Sequence, residues 1–298
     1  MTGPLLITGA SGWFGRTALW EYEQEYGPEA LRRDVIPFAS RERWIYFDSP
    51  HGPVKALPLE AINNVENPRG LLHLAFLTRD KVEELGWQCY VDTNRRITKT
   101  IAGLLSIWPM MPIICTSSGA AALGNKRSCL ENNPYAFLKL EEENMLRACS
   151  YGRMTTVFRV YAATGQFMTR REKFALGSFL NQVLQDGVVK VYAKNLVKRS
   201  YVHAGSLFRL SLRMLAVPLV SGFYCIDACM ETMDIRALAA RVGHLFCVPV
   251  VSPPADSLLT PSVYTGSDFE FRKLLSAYSL IPPSIDMLIY ETMRNTAA

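Results

Sequence analysis

The stretch from Pro4 to Gly15, "PLLITGASGWFG", decides how this chain is read. Its apolar start reads as a buried strand, and "WFGRTALWEYEQEY", Trp13 to Tyr26, reads as the helix that follows. Between them, Gly9, Gly12 and Gly15 recur at every third residue. A strand, a glycine turn and a helix together make a phosphate cradle, because the helix N-terminus offers free N–H groups and the positive end of its dipole. In that reading Gly9 permits the tight turn. Gly12 removes the Cβ that would block a pyrophosphate, and Gly15 lets the helix pack close against the sheet. The spacing is G-x-x-G-x-x-G rather than G-x-G-x-x-G, and no Gly-Lys-Ser/Thr follows, which sets a P-loop aside. The turn is expected to bind a dinucleotide.

Working outward, strand and helix patterns alternate. "DVIPFASR", "GLLHLAFLT", "MPIICTSSG" and "MTTVFRVYAATG" read as further strands, and "VDTNRRITKTIAGLLSIW" and "PYAFLKLEEENMLRAC" as helices. That alternation predicts an α/β fold, a doubly wound, Rossmann-like parallel sheet covered on both faces. After Gly165 the rhythm changes, with "FALGSFLNQVLQDG" a helix and "VVKVYA" a strand. The expected division is a dinucleotide-binding domain over 1–165, to which segments at about 199–228 return, and a smaller substrate-binding domain over 166–298. The chain has 298 residues, 49% of them apolar and 20% charged, with a net charge of +5. This is an ordinary globular composition, with neither the basic, aromatic-interleaved run of a nucleic-acid binder nor an apolar run long enough to span a bilayer. Seven cysteines without a leader-like N-terminus predict reduced thiols and a cytoplasmic protein. Cys225 and Cys229 are four apart but have no second pair, so no metal is expected.

Further motifs follow in order: "HLAF" at His73–Phe76, Asn94 in "VDTN", "TSSGAA" from Thr116, "YAFLK" at Tyr135–Lys139, and "KRSYVHAGSL" around Arg199. Together with the glycine turn, they resemble the extended short-chain dehydrogenase/reductases, the NAD(P)-dependent epimerase/dehydratase family. The resemblance covers nearly the whole chain. It implies cofactor contacts from Thr8, Gly9, Gly12, Trp13, Phe14, Gly15, Ser40, Arg41, Leu74, Ala75, Phe76, Asn94, Tyr135 and Lys139. It also implies catalysis by Ser118, Tyr135 and Lys139, with Ser117 as the alternative serine. Arg199 and Arg170, with Ser117, are implied on the substrate side, and a homodimer is a further implication.

Tyr135 and Lys139 are four apart on a predicted helix and so share a face. An ammonium nearby favours the phenolate, which suits Tyr135 to act as general acid or base. Ser118 would hydrogen-bond the substrate oxygen. At the end of the second strand, Ser40 and Arg41 stand where an acid would select NAD; Arg41 instead suits a 2′-phosphate, so NADP(H) is favoured and NAD(H) is the alternative. Glu42 beside it complicates that reading. Gly119 and Ala120 stand where the resemblance would place the Asp-Glu pair of a 4,6-dehydratase, which argues against that reaction. The leading expectation is reduction of a keto group on a nucleotide-activated sugar, with a small carbonyl compound as the rival substrate. An epimerase with retained NAD and a non-catalytic NADP(H) sensor are the alternatives. Ile97, Ile101, Leu104 and Leu105 suit a core or a dimer face, with core preferred.

Overall fold

In a computed structural model, which describes residues 3–123 and 129–294, the first strand is buried along its whole length and has parallel partners on both sides. The strands are β1 (Leu5–Thr8), β2 (Val35–Ala39), β3 (Arg43–Ile45), β4 (Val54–Pro58), β5 (Gly70–His73), β6 (Ile113–Ser118), β7 (Met154–Val160), β8 (Ala162–Thr164), β9 (Val189–Lys190), β10 (Val197–His203), β11 (Gly222–Ala228), β12 (Glu231–Asp234), β13 (Val250–Val251) and β14 (Ser262–Tyr264). The helices are α1 (Trp13–Tyr26), α2 (Pro28–Asp34), α3 (Lys81–Leu85), α4 (Trp87–Ile107), α5 (Cys129–Asn132), α6 (Pro134–Ala148), α7 (Ala175–Asp186), α8 (Ala204–Ala216), α9 (Ile235–Phe246), α10 (Phe269–Ala277) and α11 (Ile285–Arg294).

The first compact unit comprises 1–159 and 208–226. Its sheet has the order β11-β7-β6-β5-β1-β2-β4-β3. Pairing is parallel from β4 through β2, β1 and β5 to β6, and β3 closes the edge antiparallel to β4. This is the doubly wound, Rossmann-like sheet expected. The order reverses on either side of β1, so the topological switch point lies between β1 and β5. Because these strands run the same way, Thr8, Ala39, His73 and Ser118 all end at one edge of the sheet. Leu6, Leu71, Ile113 and Val157 from the strands pack with Ile101, Leu104 and Leu105 of α4 in one buried cluster. Ile97 packs against it half-buried, so this apolar face of α4 is core.

The second unit comprises 160–207 and 227–298. In it β10 pairs in parallel with β8 and β14 and antiparallel with β12. Those pairings keep β10 in the second unit, and the chain rejoins the first at Phe208 rather than near residue 199. "VVKVYA" forms only the short β9, paired with β13. "GLLHLAFLT" is also shorter than its composition predicts: β5 stops at His73 because the Thr8 hydroxyl accepts the Leu74 and Ala75 N–H groups at 3.1 and 3.2 Å.

Candidate active site

The glycine turn leaves β1 with Gly9 at φ +67°, where a Cβ would lie 2.6 Å from the carbonyl carbon of Leu74. Only glycine fits there. A Cβ on Gly15 would lie 2.4 Å from the Ala10 Cα and the Gly9 oxygen, so the close approach is to the turn itself rather than to the sheet. Gly12 differs from both. It is exposed, and its Cβ would meet only the Gly9 oxygen, at 3.3 Å. Gly12 caps α1 without a side chain, and no acid stands in the first turn. The N-terminus of α1 therefore has the open, uncapped form that suits a bound pyrophosphate. Trp13 and Phe14 begin the helix, with the Phe14 ring edge-on to Phe208 at 5.2 Å. Arg209 and Arg213 of α8 grip Glu21 and Glu25 of α1 and hold the helix in place.

Ser40 and Arg41 emerge exposed from β2, at the same sheet edge. Glu42 is engaged by Lys55 at 2.8 Å, and Asp34 is held by Arg33 before the strand begins. No carboxylate directly follows the strand at Ser40 and Arg41.

Leu74, Ala75 and Phe76 leave β5 half-buried. Asn94, buried on α4, accepts the Leu77 N–H at 2.8 Å and donates to the Tyr90 carbonyl at 3.2 Å. It therefore shapes the loop that carries Phe76. Tyr90 is buried one turn before Asn94, and burial, with Tyr135 adding to it, pushes its phenol well above the ordinary value.

β6 ends in two buried serines that face opposite ways, as successive residues of a strand do. The Ser117 hydroxyl donates to Glu143 at 2.6 Å, and Arg159 holds the same carboxylate at 3.0 and 2.6 Å. Ser117 is thereby tied to α6. The Ser118 oxygen accepts the Ala120 N–H at 3.2 Å. α6 starts at Pro134 with Asn133 as its cap, accepting from Ala136, which sets the phase that carries Tyr135 and Lys139. The loop between Ser118 and Tyr135 includes 124–128, which lie outside the described residues.

Lys139 is buried. Its ammonium donates to the Thr116 carbonyl at 2.9 Å and to Glu142 at 2.9 Å, and it lies 3.7 Å from the centre of the Phe76 ring. That ring is also edge-on to Tyr135 at 5.9 Å. Burial is the largest single influence and on its own would depress Lys139, but Glu142, Cys115 and Tyr135 together raise the lysine above its ordinary value. Burial likewise works against the Glu142 carboxylate, and Lys139 and His73 together bring it below its usual range. Behind it, His73 Nε2 meets Glu142 at 3.1 Å and His73 Nδ1 meets the Thr8 hydroxyl at 2.7 Å. The donor inventory gives one consistent assignment. Nε2–H donates to the carboxylate, and Thr8 donates to Nδ1 while accepting two backbone N–H groups. A buried chain thus runs from the glycine turn to the lysine through Thr8, His73 and Glu142. Neither Glu142 nor this role of His73 was legible in sequence: a Glu three residues after a Lys on a helix usually faces water.

His73, Cys115 and Glu142 place potential metal-ligating atoms within 4.8 Å of one another. Lys139 already neutralises Glu142, and burial pushes the Cys115 thiol well up, keeping its proton. The trio therefore reads as the inner side of the ion pair.

The two arginines expected on the substrate side, Arg199 and Arg170, lie in the second unit. Arg199 of β10 donates to the carbonyls of Ser262 and Lys198 at 2.7 and 2.8 Å and to the Ser262 hydroxyl at 3.0 Å. Arg170 is half-buried in left-handed backbone, φ +53°, just before a short helical turn. Among the described residues, no helix is long and apolar enough to cross a membrane.

A mostly parallel sheet with a glycine turn at its switch point, and a Tyr-x-x-x-Lys helix beside the next strand ends, define a Rossmann-like α/β protein. Residues 5–221 match the model of the NAD dependent epimerase/dehydratase family, and the chain belongs to that family. A comparison with curated proteins finds no match. Among solved structures, it is similar to TunA, an NAD dependent-NDP-hexosamine 5,6-dehydratase involved in tunicamycin biosynthesis, at TM-score 0.73 and 14% identity over 99% of this chain and 98% of that one. It is also similar to MoeE5 in complex with UDP-glucuronic acid and NAD, at TM-score 0.72 and 16% identity over 99% of each chain. A third is the UDP-glucose 4-epimerase of Thermotoga maritima, at TM-score 0.71 and 17% identity over 99% of this chain and 100% of that one.

Proposed function

We propose that this protein is an NADP(H)-dependent reductase acting on a keto group of a nucleotide-activated sugar. One observation carries the reading: Tyr135 and Lys139 share a helix beside Phe76, and Lys139 is wired to the glycine turn through Glu142, His73 and Thr8. In this reading the proton donor and the dinucleotide cradle are linked through buried contacts. A bound NADPH would supply the hydride to the carbonyl carbon. Tyr135 gives its proton to the carbonyl oxygen, which becomes a hydroxyl. Ser118 hydrogen-bonds that oxygen as charge develops on it. Lys139 keeps positive charge beside the phenol and holds the cofactor's ribose. Gly119 and Ala120 provide no carboxylates for loss of water after Ser118. The exposed Arg41, with Glu42 drawn off by Lys55, supports the 2′-phosphate reading. UDP-glucose and UDP-glucuronic acid are named with the similar structures, which supports the sugar class. For a sugar phosphate to be held by Arg199, the bonds of that arginine to Ser262 must be exchanged.

An epimerase with retained NAD is the second reading, favoured by the NAD and NAD-dependence named with two of those structures. Calorimetric titration of cofactor-free protein with NADPH and NADH separates the two. Preference for NADPH, followed by turnover of a keto sugar that Tyr135→Phe abolishes, supports the reductase. An NAD that survives purification and preference for NADH overturn it.

A further inference from the structure

The Lys139 ammonium has three N–H donors, and three groups meet it: a backbone carbonyl, a buried carboxylate and the face of Phe76. The first two are fixed. Thr116 belongs to the central strand β6, and Glu142 is itself held by His73. Phe76 is of another kind. It lies past the end of β5 in a half-buried loop, and its ring lies against the lysine and edge-on to Tyr135. The Proposed function needs Lys139 to hold a ribose, and the one partner that can yield is the aromatic face.

We propose that Phe76 competes with the cofactor's nicotinamide-side ribose for the third donor of Lys139, so that loading of a dinucleotide requires the Phe76 ring to leave the ammonium. This rests on the Proposed function. Phe76 is then a positioning residue: it keeps a buried ammonium satisfied, and it sets how tightly a whole dinucleotide binds. A buried cation–aromatic contact is exchanged for a charge-assisted hydrogen bond to a hydroxyl, and the two are of similar strength. The exchange can run either way, and removing the ring biases it towards the cofactor.

The test is calorimetric titration of full-length wild type, Phe76→Leu and Phe76→Ala with NADPH, NADH and adenosine 2′,5′-bisphosphate. The last has the adenosine half and its phosphates but no second ribose, so it does not reach Lys139. Phe76→Leu keeps apolar bulk against the cluster of Tyr90, Val91 and Leu138, and so guards against a variant that fails to fold. The expected result is dinucleotide binding about 3- to 30-fold tighter in the variants, the size of the contact removed, with the bisphosphate unchanged. Binding by the variants where wild type shows none is the same effect in stronger form. Dinucleotide affinity that is unchanged or weaker in both variants overturns the inference and leaves the Proposed function standing. Equal tightening of the bisphosphate also overturns it, because the effect would then lie elsewhere in the cradle. Failure of wild type and both variants to bind any dinucleotide overturns both.

Discussion

Glu142→Gln is the most informative single change to the scaffold of this site. Lys139 is 5% exposed and Glu142 1% exposed, and their charged atoms are 2.9 Å apart. At an effective dielectric of about 20, that separation is worth about 6 kcal/mol of attraction, partly offset by the desolvation of both ions. Removing one partner of such a pair leaves the other charge buried alone, at a typical cost of about 3–5 kcal/mol. The new amide oxygen still accepts from Lys139 and recovers about 1 kcal/mol, so the expected loss is about 3 kcal/mol. All five tryptophans lie in the first unit, so urea unfolding followed by tryptophan fluorescence reports that unit alone. Adding Lys139→Met removes the stranded charge, and the double variant is expected to regain most of the loss. A loss under about 1 kcal/mol for Glu142→Gln, or no recovery in the double variant, refutes the reasoning that this pair is buried and mutually dependent.

The same pair sets a pH window. Glu142 is held below its ordinary value, so its contribution is present above the usual carboxylate range and is lost as pH falls through the lower folded value. Lys139 is held above its ordinary value, so its contribution is complete below the usual lysine value and is lost as pH rises through the higher one. Stability of the first unit is expected to be level between about pH 5 and pH 10, and Glu142→Gln flattens the acid limb of a fluorescence-monitored profile. Gly12→Ala is expected to fold with a small loss of thermal stability, because its Cβ lies 3.3 Å from the Gly9 oxygen, and to lose dinucleotide affinity by about tenfold or more. Gly15→Ala drives a Cβ into the backbone of Ala10 and is expected to lower stability by at least about 1–3 kcal/mol in the same urea assay. Arg41→Ala is expected to weaken NADPH about tenfold and leave NADH unchanged by calorimetry, since only the former has the 2′-phosphate. Tyr135→Phe is expected to bind cofactor as wild type does and to lose about 100- to 10,000-fold in kcat.

The sequence by itself determined the α/β class, the strand–turn–helix at Gly9 to Gly15, and the helix bearing Tyr135 and Lys139. Each of these is a local pattern: periodicity, glycine placement, and residues four apart on one face. In the structure α6 begins at Pro134 behind its Asn133 cap, at the first residue of the helical run "PYAFLKLEEENMLRAC". What lay beyond sequence depends on which strands become neighbours. β1 and β5 are adjacent in the sheet, with Thr8 opposite His73; the 65 residues that separate those two in sequence hide the pairing from any local pattern. Only that adjacency puts His73 between Thr8 and Glu142, turning a glutamate that reads as a solvated helix residue into the buried counter-ion of Lys139. The same burial separates Ser117, bound to Glu143, from Ser118, and sets the Phe76 ring against the ammonium. Local propensity places residues on elements, whereas the desolvation of a charge and the partner that compensates it are decided by which elements pack together.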